Sequence, residues 1–357
     1  MKQLIVAQSA LLLLLVGGCV AQSTKQPNVG KDVALATSHL DVVETVTMPT
    51  ELASTFAAPF RCDSDGNFYL MTSFDAESGI RKLTKKGELL ALYLASTATD
   101  PKIDAVMSFS VGVDGTVYQI AFPHSRDRYV LVFAKDGIVK SEVKLDTGFG
   151  WVPSRVTPFA SGDLLISGLK YDPAGADLPR LPFTGIFSSS GVLLKEIALA
   201  DDKSIHDMAV SGDEHVVAAG YPLGNLAVEN GAMEPASDGN IYLMRNLSPA
   251  IVYAISPGGA VVKRFTVDPG KDHYRPFVMH IVAGRIAILF REGQTHEQFV
   301  KVVDLDGHEI GTYTDTVING RSNLGLAFTC YTVNPERLTF LGTTQDHRLQ
   351  LKIAEPR

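Results

Sequence analysis

From about residue 40 onward, hydrophobic and polar positions alternate in short runs that are broken by glycine turns. Alternation over four to eight residues predicts half-buried strands, and no stretch keeps the 3.6-residue apolar period of a helix. Two turn signals recur along the chain. The first is Asp-Gly or a relative: Asp65-Gly66, Asp114-Gly115, Gly162-Asp163, Asp238-Gly239 and Gly284. The second is a glycine turn 20 to 29 residues later: Lys86-Gly87, Asp136-Gly137, Ser190-Gly191, Gly258-Gly259 and Asp306-Gly307. The second turns follow one another at 50, 54, 68 and 48 residues.

Each unit therefore reads as four short strands, with turns suited to Gly at positive φ and to Asp bonding nearby amides. A four-stranded sheet cannot bury both faces alone, and stacking such units around an axis makes the blades of a β-propeller. Complete units begin near residues 51, 105, 153, 228 and 274, and a sixth begins at Gly325 and ends one strand short. The alternating stretch Asp41 to Thr47 is left over at the other end. The expectation is an all-β, six-bladed β-propeller over residues 39–357, closed by an N-terminal strand that completes the C-terminal blade. Joining the termini in one sheet removes two open edges.

The segments CDSDGNFYLM and ASDGNIYLM, each followed by an alternating run and a Gly turn, carry a resemblance to the NHL-repeat and TolB-like group of six-bladed propellers. The resemblance covers about residues 40–357. It implies a scaffold for protein binding, a sugar-lactone hydrolase or a lyase, and fold does not choose among these. The lactonase branch implies a divalent metal held by Glu, Asn and Asp side chains in the central channel. That set does not map onto this chain residue by residue.

The N-terminus reads differently. Lys2 precedes a nearly unbroken apolar run from Leu4 to Val16, too short to span a membrane and suited to an export signal. The run ends in Val16-Gly17-Gly18-Cys19, which resembles a bacterial lipobox. Residues 1–18 are thus expected to be a signal peptide, Cys19 the lipidation site and 19–38 a flexible tether. Ordinary cleavage after Ala21 is the competing reading. The expected location is the periplasmic side of a bacterial cell envelope, with membrane contact only through the lipid.

Composition narrows the function by exclusion. Of 357 residues, 45% are hydrophobic and 20% charged, and the net charge of −7 with no basic cluster argues against a nucleic-acid partner. There is no nucleophile elbow, zincin, CxxC, P-loop or dinucleotide motif, so no catalytic residue and no metal ligand are assigned. The nine histidines lack metal-ligand spacing. Carboxylates such as Asp201-Asp202 are expected in solvated loops.

Three features rise above that background. Cys62 and Cys330, in the first strands of the first and last units, are candidates for a disulfide in an oxidising compartment; two buried thiols are the alternative. Arg recurs beside Pro-Phe in Pro59-Phe60-Arg61, in Arg155 ahead of Pro158-Phe159, and in Arg275-Pro276-Phe277. Placed ahead of three first strands, Arg61, Arg155 and Arg275 would form an anion site at the channel mouth, with Tyr274 and His280 beside it. The alternative is that each Arg pairs with a nearby carboxylate. The interval from Asp201 to Gly231 is long and would lie over one face as a binding loop or a neutral insertion. These features suggest a binding or interaction module with no cofactor, taking a protein or a small anion at the channel mouth. The alternative function is a metal-dependent lactonase-like hydrolase or lyase.

Overall fold

The computed structural model describes residues 37–48, 57–125, 127–171, 179–203, 232–292, 297–318, 321–325, 327–344, 346 and 348–357. Cys19, the signal and tether segments before Thr37, and residues 204–231 of the long interval lie outside them. The described residues, from Thr37 to Arg357, belong to one compact unit. Among the described residues, no helix is long and apolar enough to cross a membrane.

The described residues begin with strand β1 (Thr37–Thr47) and continue as four-stranded antiparallel sheets in sequence order. The first sheet holds β2 (Ala57–Cys62), β3 (Phe68–Met71), β4 (Ile80–Leu83) and β5 (Leu89–Tyr93). The second holds β6 (Ile103–Val111), β7 (Val117–Pro123), β8 (Tyr129–Phe133) and β9 (Val139–Lys144). The third holds β10 (Trp151–Pro158), β11 (Leu164–Tyr171), β12 (Pro179–Phe187) and β13 (Leu193–Glu196). The fourth holds β14 (Met233–Pro235), β15 (Ile241–Arg245), β16 (Ala250–Ile255) and β17 (Val261–Val267).

An eight-stranded sheet follows. It contains β18 (Tyr274–Val282), β19 (Arg285–Glu292), β20 (Gln298–Asp304) and β21 (Glu309–Thr314), and also β24 (Ala327–Val333), β25 (Glu336–Thr343) and β26 (Leu349–Pro356). A two-stranded hairpin, β22 (Val317–Ile318) and β23 (Arg321–Ser322), separates the two sets. β1 lies between them, parallel to β21 over three residues and antiparallel to β26 from Leu40 to Thr47.

The inner strands close a circuit. β2 touches β6, β6 touches β10, β10 touches β14, β14 touches β18, β18 touches β24, and β24 touches β2. The core follows the same path as a series of apolar layers between neighbouring sheets. Tyr69 and Tyr93 meet Phe109 and Phe133 between the first and second, and Phe68 and Leu70 meet Leu341 and Leu351 where β24–β26 return to the first. Alternation explains the layers: β11 buries Leu164 and Ile166 against the sheet before it and Leu165 against the sheet after it, and β15 does the same with Ile241 and Leu243 on one side and Tyr242 and Met244 on the other.

The second turns lock successive sheets together. Gly191, at φ +88°, is so close to the preceding sheet that a Cβ would lie 1.9 Å from the Lys144 carbonyl oxygen. Gly137 meets Leu92 in the same way at 2.2 Å. Only glycine permits both the backbone conformation and the approach. Asp201-Asp202 departs from the expected solvated loop. Asp201 is buried, and the two carboxylates hold the fully buried Arg245 guanidinium at 3.1 and 2.6 Å. An arginine 43 residues away supplies the charge that makes their burial tolerable.

Candidate functional site

The inner strands present polar side chains at one level. The amides of Asp63, Gly112, Phe159 and Ala236 each open a first turn by donating to the carbonyl four residues on. Two residues before them stand Arg61, Ser110, Thr157 and Glu234, all buried. His280 occupies the matching place on β18, two residues before Val282 closes its hairpin, and is also buried. These are polar positions in strands that are otherwise largely apolar.

Glu234 gathers the level together. Its Oε1 lies 3.0 Å from His280 Nδ1 and 3.5 Å from Arg61 Nη1, and its Oε2 accepts the Ile281 amide at 2.7 Å. His280 Nε2 faces the Phe328 carbonyl oxygen at 3.1 Å, tying β18 to β24. Arg61 Nη2 donates to the Met233 carbonyl at 3.3 Å, and Thr157 Oγ1 donates to the same oxygen at 3.2 Å. β2 and β14 are not neighbours in the circuit of inner strands; three steps separate them either way. The Arg61 side chain therefore bridges opposite walls of the channel.

The electrostatics follow from burial and pairing. Burial alone would raise the Glu234 carboxyl, but the charges of His280 and Arg61 and the bonds from His280 and Ile281 hold it below the usual carboxylate range. Burial lowers the Arg61 guanidinium, with Glu234 acting the other way. Arg155 is pushed down to about 10 by burial and by the charge of Arg61. It sits two residues before Thr157 on β10, so on the same strand face and one layer toward the strand start. Arg155 is half-buried, and its Nη1 donates to the Ser154 carbonyl at 3.1 Å. Among the described residues no carboxylate forms an ion pair with it.

The structure thus brings Arg61, Arg155 and His280 together and leaves Tyr274 and Arg275 elsewhere. All three arginines lie within β2, β10 and β18 rather than ahead of them. Arg275 is exposed at the start of β18, five residues from His280 and roughly 16 Å along an extended strand. Tyr274 is buried, its ring 5.1 Å from Phe299 and its hydroxyl donating to Glu297 Oε2 at 2.8 Å. Trp151 stacks on Phe187 in an interior aromatic cluster. Cys62 and Cys330 are joined as a disulfide, with Cα atoms 5.4 Å apart, next to Arg61 on one strand and near Phe328 on the other.

Sequence reasoning passed over Glu234, Thr157 and Ser110. The signal that finds them is a polar residue two positions before a first turn. On the turn side, a cavity of about 220 Å³ is lined by Tyr118, Pro158, Phe159, Pro235 and Ile241, among others. Asp304, Asp306 and His308 bring potential ligand atoms within 4.8 Å of one another, but on the β20–β21 hairpin, where the Asp306 and His308 amides bond Asp304 as in an ordinary turn.

No family model matches the sequence. No curated protein matches it. Solved structures do. A candidate exported protein of Bacteroides fragilis superposes with a TM-score of 0.53 at 11% identity, covering 90% of this chain and 97% of that one. A luciferin-regenerating enzyme superposes with a TM-score of 0.50 at 11% identity, covering 87% and 95%. The WD40 domain of Neurospora crassa Pan2 gives 0.46 at 10% identity, covering 90% and 97%.

The chain is a β-propeller.

At such identities the likeness is one of fold alone. The propeller supplies the geometry of a channel lined by inner strands, and the chemistry of that channel belongs to this chain's own side chains.

Proposed function

We propose that this propeller is an exported binding and interaction module of the bacterial cell envelope, lipid-anchored at Cys19, which takes its ligand or protein partner in the central channel. The proposal includes six blades, the eight-stranded sheet counting as two and β1 completing the last. The circuit of inner strands and the antiparallel pairing of β1 with β26 support that count. Export and anchoring are supported by the Leu4 to Val16 run and the Gly17-Gly18-Cys19 ending, and by the candidate exported protein among the structural relatives.

One observation carries the binding role. Arg61 and His280 are paired by charge with Glu234, while Arg155, one layer above, keeps a half-buried charge that no carboxylate among the described residues neutralises. Stranding a cation in a low-dielectric channel is costly unless a partner arrives to pair with it. A ligand that binds only the folded state raises Tm as RT ln(1 + [L]/Kd). The test is a thermal-shift screen of the full chain against organic acids, sugar phosphates, lactones and uncharged sugars, with and without EDTA. Shifts that depend on channel residues support the module. A fall in Tm with EDTA, restored by one divalent metal, overturns it in favour of a metal-dependent hydrolase.

A further inference from the structure

We infer that Arg155 is a carboxylate receptor: a small organic monocarboxylate seats its two oxygens on the guanidinium, with the Ser167 hydroxyl beside it as a further donor. This rests on the channel-binding reading above and names the ligand class of that site.

Three observations converge on it. The first is register. Arg155 on β10 stands directly opposite Ser167 on β11, and Ser167 opposite Thr184 on β12, so the three side chains share one face of the sheet. The face is the one turned toward β14, since Thr157, two residues along, reaches the Met233 carbonyl. The second is satisfaction. The Ser167 and Thr184 hydroxyls are buried, and neither has a hydrogen-bond partner among the described residues. Buried hydroxyls are nearly always paired in folded proteins, so two such donors in line with a half-buried guanidinium mark a place where acceptors are wanted.

The third is charge. Arg61 already shares Glu234 with His280, which leaves the positive charge of Arg155 as the surplus of the Arg61, Arg155 and Glu234 set. A monoanion neutralises that surplus, whereas a phosphate dianion would bury an excess negative charge. The flat fork of an arginine matches the two oxygens of a carboxylate. Arg61 crosses to Glu234 on the turn side of Arg155, so the ligand would reach the guanidinium from the strand-start side.

The test uses the full chain, with acetate and lactate as probes and acetamide and inorganic phosphate as comparators. Acetate or lactate at ten times its Kd raises Tm by about 2 °C, and acetamide leaves it unmoved. Arg155→Gln keeps or raises the ligand-free Tm, because it removes a buried like charge beside Arg61, and it abolishes the carboxylate response. Ser167→Ala keeps the fold and weakens the carboxylate Kd by about fivefold. Equal responses in wild type and Arg155→Gln overturn the inference, as does a response to phosphate without one to carboxylate. A lower ligand-free Tm in Arg155→Gln makes Arg155 a structural group and also overturns it. If carboxylates are silent but an uncharged sugar or lactone gives a shift that Thr157→Val removes, the channel still binds and this inference alone falls. Silence across the whole panel removes both.

Discussion

Arg61 and Thr157 donate to one acceptor, the Met233 carbonyl, at 3.3 and 3.2 Å, although they come from the first and third sheets and the carbonyl from the fourth. That shared oxygen and the neighbouring Glu234 carboxylate make the middle of the propeller a polar joint rather than an apolar plug. A joint of this kind is only as good as its least satisfied member.

Glu234→Ala leaves Arg61 and His280 buried without their anion. Removing one partner of a buried ion pair costs about 3–5 kcal/mol. The expected result is a lower urea midpoint with an unchanged m-value, and a smaller loss for Glu234→Gln, which keeps an acceptor for the Ile281 amide.

Acid should reach the same joint. The folded Glu234 carboxyl lies below its unfolded value of about 4.3, so its stabilisation is complete above that pH and is lost as pH falls through the folded value. Tm measured between pH 6 and pH 2.5 should fall on the acid side, and less steeply in Glu234→Gln. Asp63 and Asp238 are also held low, so a shallower limb remains in the variant. Identical profiles would count against the joint.

The Cys62–Cys330 disulfide closes a loop of 268 residues between β2 and β24. Restricting the unfolded chain over that length is worth at most about 5 kcal/mol. Reductant, or Cys62→Ser with Cys330→Ser, should lower Tm by several degrees. The inner-strand contact between β2 and β24 should then be the first to lose amide-exchange protection.

Gly191→Ala should cost about 3 kcal/mol or more, since it combines a positive φ with a backbone clash against Lys144. Gly66→Ala is the control. Its φ is also positive, but nothing lies within 4 Å of the added methyl. The difference between their denaturation midpoints isolates the contact between sheets.

The all-β propeller was legible because alternation and turn glycines are local, and each unit repeats the same short-range chemistry. The site was legible only in part. Arg61 and Arg155 drew notice as arginines, but their recurrence beside Pro-Phe gave no reason to separate them from Arg275. What separates them is depth along the inner strand, which β-bulges shift by a residue in β10 and β18. Glu234 escaped because β14 is only three residues long and ends in Pro235, too short to show alternation. The burial of Asp201 beside the partly buried Asp202 depends on Arg245, a long-range pairing to which local polarity is blind.

Arg61 has one further consequence. It reaches from β2 to the Glu234 carboxylate and the Met233 carbonyl on β14, so one side chain spans the ring of inner strands at this level. A pore can be loaded from one face and emptied through the other. In the binding role proposed above, a ligand on Arg155 would enter and leave by the strand-start side alone, so whatever covers that side would govern both its arrival and its release. The cavity at the first turns lies on the other side of the Arg61–Glu234 pair.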